Sequence, residues 1–176
     1  MGLNKGEVTD FSKLSDAISK AVEKAEEMAG FRISDLTCNI SGGLPFTEVT
    51  SDDILISNNI IKKENVLNLL NLDEHKSKYK NYVQLRRTPK VFKIENDQEV
   101  DNPLGFKSKT LTLEAVNTYV NENVISNLNK SIQLCHLTVN KFYITPEVNG
   151  ISTMIKEERD LGALIIDIGA SLTSIG

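Results

Sequence analysis

Tryptophan is absent, and cysteine and histidine occur only twice each, as Cys38, Cys135, His75 and His136. Neither cysteine belongs to a C-x-x-C pair, so neither a disulfide framework nor a zinc site is indicated; two small apolar side chains in a reducing compartment are the expectation. Neither histidine has ligand-like neighbours at metal spacing, and no Ser-His-Asp or Cys-His nucleophile can be assembled from two isolated imidazoles. No run approaches the roughly 18 apolar residues of a membrane span, and Met1 to Gly6 has neither a signal-peptide core nor the Ser or Thr of a myristoylation signal. Asn39-Ile40-Ser41 and Asn129-Lys130-Ser131 match the glycosylation pattern, which has no meaning without secretion. Positive charge is not in excess: the net charge of −4 gives no global attraction to nucleic acid or to an acidic membrane surface. The chain reads as cytosolic.

What is present is the composition of a soluble globular protein, 40% hydrophobic and 25% charged, long enough at 176 residues for one or two cores. Thr9 and Asp10 can cap a helix with Phe11, Leu14, Ile18, Val22, Ala25 and Met28 on one face, and Gly30 is placed to end it. Lys20 with Glu23 and Lys24 with Glu27 make its other face polar. Asp35 to Ser41 alternates with Leu36, Cys38 and Ile40 on one side, a half-buried strand stopping at Gly42-Gly43. Ile54 to Ile56 reads as a second strand, and Asn58-Asn59 lead into a helix carrying Ile61, Val66, Leu67, Leu69 and Leu70. From Glu74 to Lys90 the chain turns polar and basic. Val91 to Ile94 reads as a short strand, Glu95 to Asn102 as an acidic loop, and Asn102-Pro103-Leu104-Gly105 as a turn. Leu111, Leu113 and Ala115 mark another strand, Val124, Leu128, Ile132 and Leu134 a helix ending near Cys135, and Val139 to Ile144 a strand. Pro146 opens a helix through Ile155, and Glu157-Glu158-Arg159-Asp160 reads as a solvated turn. With no repeat or low-complexity tract, this order implies an α/β or α+β architecture with a compact insert in its middle.

The chain closes on LGALIIDIGASLTSIG, Leu161 to Gly176. Ala163 to Ile166 has almost no alternation, the pattern of a strand buried on both faces, and Gly169-Ala170-Ser171 is a small-residue turn that can bring backbone close to an anion. The returning strand from Thr173 is barely begun, so the sequence reads as part of a larger fold. An isolated chain is then expected to be poorly soluble, its terminal strand lacking neighbours.

Several segments together resemble the FtsA family of bacterial cell-division proteins, within the actin-like nucleotide-binding superfamily. They are GEVTDFSKLSDAISKAVEKAEEMAG; DLTCNISGG, from Asp35 to Gly43; Asn102-Pro103-Leu104-Gly105-Phe106 with the strand LTLEAV; and ERDLGALIIDIGASLTSIG. They run in the family's order from about Lys5 to Gly176. The resemblance implies residues 1–34 and 140–176 as two portions of an actin-like core, with 35–139 containing the inserted 1C-type subdomain. It implies ATP with magnesium as cofactor, bound at Asp167, Gly169, Ala170, Ser171 and Thr173, with Asp167 reaching the magnesium through water. Where the family reads Asp-Ile-Gly-Gly-Gly-Thr-Thr-Asp, this chain has Ala170 and Ser171 for glycines, Leu172 for a hydroxyl residue and Ser174 for a carboxylate. Ala and Ser disfavour any positive φ a glycine supplied there. No catalytic residue and no enzymatic activity of its own are expected. The implied role is a scaffold on the cytoplasmic side of the inner membrane at the division site. Such a scaffold joins FtsZ polymers to the membrane through a segment beyond this C-terminus, self-associates, and recruits later division proteins.

Rival readings are an actin-like protein of type IV pilus assembly, a nucleotide hydrolase or sugar-kinase relative, and a nucleic-acid module. The last rests on Lys76, Lys78, Lys80, Arg86, Arg87, Lys90 and Lys93, interleaved with Tyr79, Tyr82 and Phe92. A solvated strand edge guarded by Lys explains that tract better than nucleic acid does, and so does a contact with an acidic protein partner. Ser41-Gly42-Gly43 reads equally as an anion nest or as a strand-ending turn.

Overall fold

The computed structural model describes residues 2–71 and 79–176, which form two compact units. One unit is Met1–Pro45 with Asn121–Gly176, and the other is Phe46–Val120.

The first unit opens on a hairpin that periodicity did not reveal, β1 (Leu3–Asn4) and β2 (Glu7–Val8). Its turn holds Lys5 and Gly6 at positive φ, and Gly6 lies against Gly42 so closely that a Cβ on either would meet backbone at 2.5–2.6 Å. Helix α1 (Phe11–Ala29) is capped as its sequence suggests: the Asp10 side chain accepts from the Lys13 amide, and Gly30 closes the helix in the left-handed region. Leu14 is buried, whereas Met28 at the far end is exposed. β3 (Asp35–Ile40) pairs in parallel with a strand a hundred residues later, described below as β8, with a register shift between Leu36 and Thr37.

The second unit is a four-stranded sheet and a helix. β4 (Phe46–Leu55) is much longer than Ile54 to Ile56, because its inward positions Glu48, Thr50 and Asp52 are polar and hide the alternation. α2 (Lys63–Leu70) follows, the Asn65 side chain accepting from the Lys62 amide at its start. β5 (Tyr82–Ile94) begins nine residues before the expected Val91, so the basic stretch is strand rather than loop. The expected acidic loop holds a short 3-10 turn at Glu95–Asp97 and β6 (Gln98–Val100). The Pro103-Leu104-Gly105 turn forms as read, Gly105 at φ 83° and the Phe106 amide donating to Pro103 O. β7 (Thr110–Asn121) completes the sheet in the order β4-β7-β5-β6, pairing antiparallel with β4 over ten residues. Ile56, Ile61, Leu69, Phe92, Ile94, Leu111, Leu113 and Ala115 make one closed core on its inner face. At the other end of that face Phe46, Tyr79, Tyr82 and Tyr119 stack and cross at 5.0–5.2 Å between ring centroids.

Returning to the first unit, α3 (Glu122–Gln133) is capped by Asn121 and packs on α1, the Lys130 ammonium lying 4.9 Å from the Phe11 ring. Then come β8 (Thr138–Ile144) and α4 (Thr145–Thr153). The charged stretch read as a turn is instead a short helix, α5 (Lys156–Leu161): Glu158 accepts from the Ile155 amide, and the Arg159 guanidinium donates to Met154 O. Acids in a first turn favour a helix as much as solvent does. The last pair, β9 (Ile166–Ile168) and β10 (Thr173–Ile175), is antiparallel. The strand begins at Ile166 rather than Ala163, and it stands uncovered, as expected of a terminal strand lacking neighbours: Leu164 is 71% and Ile168 79% exposed, and among the described residues β9 and β10 pair only with each other.

Candidate functional site

The anion-turn candidate sits at the tip of the terminal hairpin. Its base is closed by a reciprocal pair, the Ile165 amide on Gly176 O at 2.8 Å and the Gly176 amide on Ile165 O at 3.0 Å. The hairpin packs on α4 where Gly150 leaves room for Ile165, a Cβ there lying 2.7 Å from Ile165 Cδ1, and where Gly176 lies against Pro146. Asp167, half-buried, faces Ser174 across the pair, and Thr173 faces Ile168. The turn brings Asp167, Gly169, Ala170, Ser171 and Thr173 within one hairpin, as the sequence places them.

The turn's donors are unequally available. The Gly169 amide is engaged with Leu172 O at 2.9 Å, so it faces into the hairpin. No described backbone carbonyl accepts from the amides of Ala170 or Ser171, and both residues are exposed. None of residues 169–174 has positive φ, so the alternating conformation that curves successive amides around an anion is not formed. The tip therefore presents two exposed small residues, Ala170 and Ser171, with the Gly169 amide turned into the hairpin. Among the described residues no three His, Cys, Asp or Glu converge in a way that could hold a metal ion, so Asp167 acts alone if it acts on a cation. Any such ion would keep most of its water.

The basic tract looks different in three dimensions. Lys76 and Lys78 lie outside the described residues, as does His75. Arg87 has a side chain only 3% exposed and reaches from β5 across β7 to Asp52 on β4, at 2.5 Å. Lys93 contacts Glu114 at 2.5 Å and Glu99 at 4.0 Å, and Lys90 reaches Glu114 at 3.9 Å. The Lys93 hydrogen bond holds the Glu114 carboxyl below its ordinary range, and the same bond raises the Lys93 ammonium. Phe92 is a core residue and Tyr79 and Tyr82 belong to the aromatic cluster, so none of the three is a free base-stacking platform. Sequence reading missed the neutralising partners Asp52 and Glu114, since they lie on strands whose register was not foreseeable.

Ser41-Gly42-Gly43 is a strand-ending turn rather than a free nest. Its Ser41 hydroxyl lies 2.7 Å from Thr145 Oγ1, which also accepts from Asn39 Nδ2 and donates to Ile40 O. The two cysteines are free; burial pushes the Cys38 thiol up, and Cys135 Sγ donates to Ser15 O and Ser131 O. An open recess of about 240 Å³ beside α1 includes Glu23, Glu26, Cys135 and His136, but Glu26 already accepts from the Ile33 amide. Among the described residues no helix is long and apolar enough to cross a membrane.

No family model matches the chain. Curated relatives do. The cell division protein FtsA of Rhizobium meliloti (strain 1021) is 24% identical over 174 residues, 99% of this chain and 39% of the relative. FtsA of Bacillus subtilis (strain 168) is 24% identical over 176 residues, 99% and 40%, and FtsA of Escherichia coli (strain K12) 22% over 174 residues, 99% and 41%. The chain thus spans about two fifths of the length of these relatives. Among solved structures, a chain of a PilM-PilN type IV pilus biogenesis complex superposes with a TM-score of 0.54 at 15% identity, covering 99% of this chain and 46% of that one. At that identity the likeness establishes the mixed α/β fold. The FtsA resemblance read from segment order therefore extends over almost the whole chain.

Proposed function

We propose that this chain is part of an actin-like cell-division scaffold that links FtsZ polymers to the cytoplasmic face of the inner membrane and recruits later division proteins. The observation that carries the reading is the collinear similarity of 99% of the chain to FtsA from three unlike bacteria. In this reading residues 1–34 and 140–176 belong to the actin-like core, and 35–139 contain the inserted interaction subdomain. The self-contained sheet at Phe46–Val120 supports an insert within those limits. Self-association and membrane attachment belong to the longer protein.

ATP with magnesium is the cofactor the reading brings, supplying charge to be gripped at the hairpin tip when bound. The chain's own share would be the exposed amides of Ala170 and Ser171, the hydroxyl of Thr173, and Asp167 oriented by its pairing with Ser174. No catalytic step is assigned to these residues. The pilus-assembly reading shares the fold, but a likeness at 15% identity does not carry function.

The test is co-sedimentation of the full gene product with FtsZ polymers, together with its position in dividing cells. Retention on FtsZ polymers and a band at the division site are expected. A soluble product that ignores FtsZ and gathers with pilus machinery would replace this reading with the rival.

A further inference from the structure

β4 is an edge strand, the first in the order β4-β7-β5-β6, and it pairs with β7 without a register break from Phe46↔Tyr119 to Leu55↔Thr110. One step beyond that ladder the Ile56 amide donates to Lys109 O at 2.8 Å, which fixes its phase. Antiparallel strands turn alternate residues toward each other, so Phe46, Glu48, Thr50, Asp52 and Ile54 direct their backbone N–H and C=O groups to β7. Thr47, Val49, Ser51, Asp53 and Leu55 direct theirs to the open edge, and all five are exposed. Among the described residues no other strand pairs with that edge, and no loop backbone hydrogen-bonds along it. Proteins blunt such edges with Lys, Pro, bulges or very short strands, and β6, with three residues, follows that rule at the opposite edge. β4 does not: it contains no Lys or Pro, and Val49 and Leu55 stand 58% and 79% exposed.

The acids of β4 leave room for a second copy. Asp52 is held by Arg87, and Glu48 is engaged within its own chain. Two antiparallel copies keep inner and outer faces matched only in registers that differ by steps of two, and two of these registers are equally centred. In one, Glu48 opposes Asp52 of the second copy, and Leu55 opposes Pro45, which has no N–H. In the other, Ser51 opposes itself on a twofold axis, Val49 opposes Asp53 and Thr47 opposes Leu55, while on the inner face Thr50 opposes Asp52 and Glu48 opposes Ile54. There no like charges face each other, every open N–H and C=O from Thr47 to Leu55 finds a partner, and Val49 stands diagonal to Leu55 of the second copy. Shifts further out leave the outward groups of Thr47 or Leu55 past the end of the other strand, so β4 complements itself best in this one register.

We propose that the β4 edge is an interface for a second copy of this chain, the two strands pairing antiparallel about a twofold axis at Ser51, so that two four-stranded sheets become one. Backbone groups of the outward residues give the affinity, and the Val49–Asp53 and Thr47–Leu55 pairs fix the register. The contact is narrow, so the dimer forms reversibly. It is a contact carried by Phe46–Val120 itself, beyond the self-association assigned above to the longer protein, and it does not depend on the scaffold reading.

Sedimentation velocity of the 176-residue chain over a concentration series tests this, with variants confined to the exposed row. A reversible monomer–dimer equilibrium is expected. Val49→Asp faces Asp53 at two symmetric places and should weaken the dimer about tenfold, whereas Val49→Lys should tighten it about tenfold; at concentrations where both are monomeric their melting curves should coincide with that of the unaltered chain. Ser51→Cys should form a disulfide-linked dimer on mild oxidation, since the Cα atoms of a hydrogen-bonded antiparallel pair lie about 5.5 Å apart, and neither Val49→Cys nor the unaltered chain should do so. Ser51→Pro removes an N–H that β7 does not use and should leave a folded monomer. A chain that stays monomeric at every concentration would overturn the proposal. So would a dimer indifferent to the Val49 charge variants, which would lie on another surface, or linkage through Val49→Cys in place of Ser51→Cys, which would mean another register. FtsZ co-sedimentation reads the division scaffold separately, so either idea can fail alone.

Discussion

Phe46–Val120 and the segment from Thr145 to Gly176 treat apolar side chains in opposite ways. In the first, Ile61, Leu69, Leu111 and Leu113 are at most 2% exposed and share one core under a single sheet and helix. In the second, Ile151, Ile155, Leu161, Leu164, Ile166, Ile168 and Ile175 all stand more than half exposed around a two-stranded hairpin. Isolated two-stranded hairpins are marginal in water. The difference separates a module whose apolar side chains share one core from a segment whose apolar side chains face solvent.

The sharpest way to break that contrast is a matched pair of truncations. Leu113→Ala, at a fully buried position, should destabilise Phe46–Val120 by about 3 kcal/mol, because it removes packed methyl groups and leaves a cavity. Ile168→Ala, on a side chain 79% exposed, should change stability by less than about 0.5 kcal/mol. Urea denaturation with amide exchange resolved by residue measures both. Comparable losses would mean that the hairpin is covered after all and would erase the distinction.

A smaller effect probes one of the contacts between the hairpin and α4. Gly150→Leu puts a side chain where Ile165 Cδ1 already lies 2.7 Å from an ideal Cβ, so the Ile165 side chain must move aside and its packing on α4 is lost. A loss of about 2 kcal/mol is expected, seen as faster exchange at Ile165 and Gly176, whose amides close the base of the hairpin. Exchange in β7 should stay as it was.

The same contrast explains what could be read from residues alone. α1 was legible to its caps because Asp10 and Gly30 are local signals and the apolar stripe recurs at helical spacing. The Pro103-Gly105 turn and the hairpin at Asp167 to Ser174 were legible for the same reason. β4 was not, since its inner positions Glu48, Thr50 and Asp52 face a polar cluster whose partners lie on β5 and β7. Asn117, fully buried on β7, donates to Thr50 and completes that cluster. Nor was the pairing of Arg87, Lys90 and Lys93 with acids legible, because Asp52 and Glu114 reach them only through strand order. For the turn at Gly169 to Leu172, the hairpin itself was legible, but the engagement of the Gly169 amide within it was not.

The smallest effect tests whether surface charge or the apolar core holds the four-stranded sheet together. Glu114 is held below its ordinary value of 4.5 by the Lys93 hydrogen bond first, and by the charges of Lys93 and Lys90 after that. A lowered carboxyl contributes stability that is present above the unfolded value and lost as pH falls through the folded one. Lys93, raised above 10.5 mainly by the same bond, contributes stability that is present below that value and lost as pH rises through its folded one. The pair should therefore support the sheet across the whole neutral range and fail only at its two ends. Melting curves of the chain and of Glu114→Gln, compared between acid and neutral pH, should differ by a small constant near neutrality and converge below the carboxyl's folded value. A difference that persists in acid would assign the role of Glu114 to packing rather than charge, and the sheet would owe its order to shape even at its rim.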